Sequence, residues 1–142
     1  MKVETILQAK GAAVYSVTQS TSVKGAVEML GDKNIGAVIV KNDNGDVTGI
    51  FSERDVVRRL RTEGAGVLDR PVSDCMTRNP VTCDPNTEVD ELMSRMTERR
   101  IRHIPVCEGG QVVGMVSIGD VVKRKIEDAE REAAALKEYI AS

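Results

Sequence analysis

Two short segments, Ser52-Glu53-Arg54-Asp55 and Ser117-Ile118-Gly119-Asp120, place a hydroxyl and a carboxylate three residues apart. Each follows a glycine-containing apolar run and opens a stretch of helical patterning. Two uses suit that spacing. In the first, serine caps the free N–H groups of a helix and the aspartate answers from the third helical position, a capping box worth about 1 kcal/mol. In the second, the carboxylate accepts both hydroxyls of a sugar diol, each hydrogen bond to the charged group contributing about 1.5–3 kcal/mol. The helix N-terminus then attracts phosphate. Other chemistries lack their residues: there is no glycine-rich Lys-Ser phosphate loop, no Gly-x-Ser-x-Gly elbow, and no cysteine or serine with an evident histidine base. His103 is the only histidine, and a lone histidine is more often a surface or hydrogen-bonding residue than a metal ligand. The residues point to a chain that is not an enzyme and holds no metal.

Composition narrows the class. The 142 residues are 41% hydrophobic and 30% charged, which is globular usage with enough apolar material for a core. Net charge is −2 and aromatic content only 2%, so neither a basic field nor a set of base-stacking rings supports nucleic-acid binding. Cys75, Cys83 and Cys107 fit neither a disulfide framework nor a zinc knuckle and read as reduced thiols of a cytoplasmic protein. No apolar run has the length of a signal peptide or a membrane span, so no membrane partner is expected.

The elements that must position the two Ser-x-x-Asp segments come in duplicate. Tyr15 to Asp43 aligns with Val81 to Gly109, and Gly45 to Arg59 with Gly110 to Arg124; 12 of the 44 pairs are identical and eight of these fall in the last fifteen positions. Gly49/Gly114, Ser52/Ser117 and Asp55/Asp120 recur beside matched valines, which indicates duplication rather than chance alignment of apolar residues. Each copy reads as strand, helix, strand, strand, helix. Thr21 or Ser22 caps a helix carrying Val23, Ala26, Val27 and Leu30, and the second copy offers Val89, Leu92, Met93 and Met96 at the same spacing; these are core positions. The turns Asn42-Asp43-Asn44-Gly45 and Glu108-Gly109-Gly110 then make hairpins. The expected organisation is a first repeat with lead-in over 1–65, a second over 66–125 and a C-terminal helix over 126–142. That helix carries Val122, Ile126, Ala129, Ala133, Leu136 and Ile140 at alternating spacings of four and three, a seam that either folds back on its own domain or pairs with a second subunit.

The paired segments Gly49 to Val57 and Gly114 to Val122, the lead-in Val72-Ser73-Asp74-Cys75-Met76-Thr77, and Arg102-His103-Ile104-Pro105-Val106 together resemble the CBS (cystathionine β-synthase) domain family, over residues 3 to 125. The resemblance implies an α/β (α+β) fold of tandem β-α-β-β-α repeats packed as a pseudo-twofold pair, the arrangement known as a Bateman module. It also implies two clefts able to hold AMP, ADP, ATP, NAD(H) or S-adenosylmethionine as a regulatory ligand, with no cofactor required. By position, one cleft would use Ser52 and Asp55 with Thr77, Arg78, Val81, Thr82, Ile101, Arg102 and His103, assisted by Arg54. The other would use Ser117 and Asp120 with Lys10, Gly11, Tyr15, Ser16, Ile35, Gly36 and Ala37. Because Arg102-His103 aligns with Gly36-Ala37, the Asp55 cleft is expected to be the more cationic and to prefer the more phosphorylated ligand. The resemblance thus favours an adenosine-nucleotide sensor, expected as a homodimer acting on an unidentified effector; the competing class is a ligand-free structural dimeriser.

Overall fold

The computed structural model describes residues 1–142. Its elements run α1 (Val3–Lys10), β1 (Ser16–Thr18), α2 (Val23–Lys33), β2 (Ala37–Lys41), β3 (Val47–Ser52), α3 (Glu53–Glu63), β4 (Thr77–Arg78), α4 (Val89–Arg99), β5 (His103–Glu108), β6 (Gln111–Ser117) and α5 (Ile118–Ala141), with short 3-10 turns at Gly64–Asp69 and Val72–Asp74. This is the mixed α/β architecture that the sequence indicates. The chain gathers into two compact units, one of residues 13–82 and one of residues 1–12 with 83–142.

In the unit of residues 13–82 the sheet order is β1-β2-β3-β4, with β1 parallel to β2 and the remaining pairs antiparallel. Val17, Val38, Val40 and Phe51 from the strands meet Val23, Ala26 and Leu30 of α2, with Val67, Val72 and Met76 closing the core. Ser22, not Thr21, caps α2, its Oγ accepting from the Gly25 N–H at 3.0 Å. The lead-in to the second repeat completes this sheet: Thr77 pairs with Ile50 and Arg78 with Gly49.

The other unit pairs β5 with β6 along a six-residue antiparallel register. Where the first repeat has β1, the second has only a parallel bridge of Cys83 to Val106. Pro80 and Pro85 flank that segment, and the Asp84 carboxylate accepts the Asn86 N–H at 2.7 Å, so the chain turns before a longer ladder can form. The helix α1 was not anticipated from the sequence. Its signal is Val3, Ile6 and Leu7 at i, i+3, i+4, all buried, followed by Gly11 at φ 91°, a conformation that side chains resist.

The duplication extends to irregular features. β2 and β5 each change register one residue after a matched valine, between Val40 and Lys41 and between Val106 and Cys107. Asn34 and Arg100, equivalent positions, end α2 and α4 in the left-handed conformation. The last helix differs: α5 has a single buried residue, Val121, and Val122, Ile126, Leu136 and Ile140 are all exposed. The seam therefore does not fold back on its own domain.

Candidate ligand site at the two serine-capped helices

Both Ser-x-x-Asp segments form capping boxes at the starts of α3 and α5. The strand before each helix ends in serine with extended backbone, leaving the first N–H groups of the helix without intrahelical partners. In the first box, Asp55 Oδ2 accepts the Ser52 N–H at 2.9 Å and the Ser52 hydroxyl at 3.3 Å. In the second, Asp120 Oδ2 accepts the Ser117 N–H at 2.8 Å, and the Ser117 Oγ accepts the Asp120 N–H at 3.2 Å. The capping reading of the motif is thus correct as local structure, and it orients the Asp55 carboxylate by two bonds and the Asp120 carboxylate by one.

Each carboxylate also meets a lead-in residue. The Thr77 hydroxyl donates to Asp55 Oδ1 at 3.2 Å, and the Lys10 ammonium donates to Asp120 Oδ2 at 2.7 Å and to the Met115 carbonyl at 2.8 Å. Thr77 is held by β4 and Lys10 by the last turn of α1, so the expected pairs Asp55 with Thr77 and Asp120 with Lys10 are both brought together. The surroundings differ in charge and burial. Asp55 is only 6% exposed and faces a neutral hydroxyl. Burial pushes the Asp120 carboxyl up, but the Lys10 ammonium and the Ser117 N–H outweigh it and hold it below the ordinary carboxylate range. A cavity of about 90 Å³ adjoins Asp120, lined by Lys10, Lys123, Arg124 and Glu127 with Ile6 and Ala9.

The remaining expected residues are placed within their own units as follows. Gly36 and Ala37 attach to the Ser52 end: the Glu53 N–H donates to the Gly36 carbonyl at 3.0 Å, and Ala37 opposes Ser52 across β2 and β3. Arg102 and His103 attach to the Ser117 end: the Ile118 N–H donates to the Arg102 carbonyl at 2.8 Å, and His103 opposes Ser117. Antiparallel pairing ties the start of each hairpin to its own end, so within its unit the Arg102-His103 backbone lies beside Ser117 and the Gly36-Ala37 backbone beside Ser52. Ile101 lies with Arg102, half-buried, while Ile35 lies half-buried before Gly36. Ser16 and Tyr15 sit at β1, where the Tyr15 carbonyl accepts the Ile39 N–H and the Lys33 ammonium lies 5.3 Å from the ring centroid. The Arg78 guanidinium reaches the Ser73 carbonyl at 3.4 Å, Arg54 is exposed on α3, Gly11 closes α1, and Val81 and Thr82 precede the Cys83 bridge. Lys123 and Arg124, which the sequence reading did not select, could have been found one helical turn after Asp120.

The CBS domain family model matches residues 12–62 and 72–127, and the chain belongs to this family. It is 36% identical over 136 residues to the mitochondrial CBS domain-containing protein CBSX3 of Arabidopsis thaliana, covering 93% of this chain and 66% of that protein. Other Arabidopsis relatives are spanned over only about a quarter of their length. Among solved structures, a CBS-domain containing protein from Agrobacterium tumefaciens superposes with a TM-score of 0.85 at 44% identity, covering 87% of this chain and 92% of that one. Two more distant CBS proteins share the fold. One, MJ0100 (22% identity, TM-score 0.79, covering 90% and 98%), was solved with 5′-methylthioadenosine and S-adenosyl-L-methionine. The other, from Pyrobaculum aerophilum (21% identity, TM-score 0.75, covering 84% and 89%), was solved with AMP.

Proposed function

We propose that this chain is a non-catalytic regulatory module that binds an adenosine-containing nucleotide, with Asp55 and Asp120 accepting the ribose hydroxyls of separate ligands. The observation that carries the reading is the matched geometry at the two helix starts. Each presents a carboxylate already oriented by its serine, a donor from a lead-in segment, and a helix N-terminus able to receive phosphate. Adenosine is the part common to the ligands named for the two distant CBS proteins, which supports the same class here. Reduced thiols fit a cytoplasmic setting, and no helix is long and apolar enough to cross a membrane.

Because Lys10, Lys123 and Arg124 line the cavity beside Asp120, this end is the one suited to the more phosphorylated ligand. Isothermal titration with AMP, ATP and their 2′-deoxy counterparts tests both parts. Loss of the 2′-hydroxyl should weaken binding by about ten-fold or more, the worth of one hydrogen bond to a charged group. Asp120→Ala should reduce ATP affinity more than Asp55→Ala does. Deoxy ligands binding as well as the ribonucleotides would remove the ribose role from both carboxylates.

A structural dimerisation module is the second reading, favoured by the fact that both carboxylates already have protein partners. Thermal shift separates the two: a ligand at one hundred times its dissociation constant adds about 2.7 kcal/mol. No shift with AMP, ADP, ATP, NAD(H) or S-adenosylmethionine would select the dimeriser.

A further inference from the structure

We infer that α5 is the dimerisation helix of this protein, and that it pairs in register and parallel with the α5 of a second copy. The face of α5 that packs on its own unit carries buried Val121 and the Lys125 ammonium paired with Asp90. About 100° round the helix lies a second apolar face with no partner in its own chain. Val122, Ile126, Leu136 and Ile140 there are 46%, 53%, 59% and 74% exposed. Ala129 and Ala133 continue the same line. In heptad terms Ile126, Ala133 and Ile140 occupy a, and Val122, Ala129 and Leu136 occupy d; β-branched residues at a with leucine at d favour two parallel strands.

The flanking charges choose the orientation. In a parallel pair each g residue faces the e residue of the next heptad on the partner helix. Glu132 then meets Lys137 of the second copy, an attractive contact that symmetry makes twice, while Lys125 at the other g position stays with its own Asp90. An antiparallel pair that buries the same seam, with Ala129 against Ala133, brings Lys123 opposite Lys137 and sets Glu130 and Glu132 each against its own copy. Like charges at those positions repel. The seam is compatible with both directions, and the charges leave one. This inference is independent of the nucleotide reading, since none of the seam residues belongs to either capping box.

The test uses the full chain. Sedimentation equilibrium should show a dimer that Ile126→Glu or Leu136→Glu weakens by at least about ten-fold. Both positions are exposed, and unchanged circular dichroism checks that each variant is folded. Leu136→Cys, oxidised with diamide, should give a covalent dimer, because residue 136 faces itself only in the parallel register; the wild-type chain is the control for Cys107. A monomeric wild-type chain, or a dimer indifferent to both glutamate variants, would overturn the proposal. So would cross-linking of Leu136→Cys to Ile126→Cys in a mixture when Leu136→Cys alone does not cross-link, since that pattern reports the antiparallel register.

Discussion

Lys10 and Asp120 stand 110 positions apart in sequence and 2.7 Å apart in space, and their contact makes the second capping box sensitive to acid. A carboxylate whose folded pKa is depressed contributes stability above its unfolded value of about 3.9, and that contribution is lost as pH falls through the folded value. Lys10→Met should therefore lower stability at pH 7, and its deficit relative to the wild type should shrink when urea unfolding is repeated near pH 3. Both side chains retain solvent access, so the effect is modest and falls with salt. A deficit equal at both pH values would assign Lys10 a packing role instead. The thiols, by contrast, are quiet: burial pushes Cys83 up to about 11, leaving almost no thiolate at neutral pH.

At the scale of elements, Gly49 and Gly114 show why the duplicated glycine recurs. A Cβ on Gly49 would lie 2.6 Å from the Thr77 carbonyl oxygen and 2.8 Å from Met76 Sδ, because β4 crosses that point. A Cβ on Gly114 would lie 2.6 Å from Leu7 Cδ2, the far end of a flexible side chain on α1. Both lead-ins pack over the glycine of a hairpin. Gly49→Ala must displace backbone and should cost about 1–3 kcal/mol in chemical denaturation, whereas Gly114→Ala lets Leu7 rotate and should cost less. Equal costs would mean that β4 shifts as easily as the leucine. Pattern alone exposed both glycines as repeated, but which segment lies over each is a pairing between residues distant along the chain, which no periodicity encodes.

At the scale of the whole chain, residues 1–12 belong to the unit built from the second repeat, and the lead-in at 77–78 completes the sheet of the first. Val3, Ile6 and Leu7 are all buried, and each such side chain is worth about 1.5–3 kcal/mol of burial. Deleting residues 1–11 removes a sum comparable to the entire 5–15 kcal/mol of a typical domain. That truncation should abolish the cooperative thermal transition of the unit, whereas ending the chain at residue 129 should leave the fold intact, because α5 beyond that point buries no side chain. A cooperative transition persisting without residues 1–11 would show that α1 is dispensable.

The amino-acid sequence by itself determined the repeat, the helix and strand order of its first copy, the two serine caps and the apolar seam of α5, because each is written in contacts among residues near one another or in a period of two or 3.6. Only the tertiary structure decided that Lys10 reaches Asp120, that Thr77 reaches Asp55, and that Arg102 accompanies Ser117. Those are pairings between segments distant along the chain, fixed by strand register and by which hairpin each lead-in covers, and no local spacing encodes them.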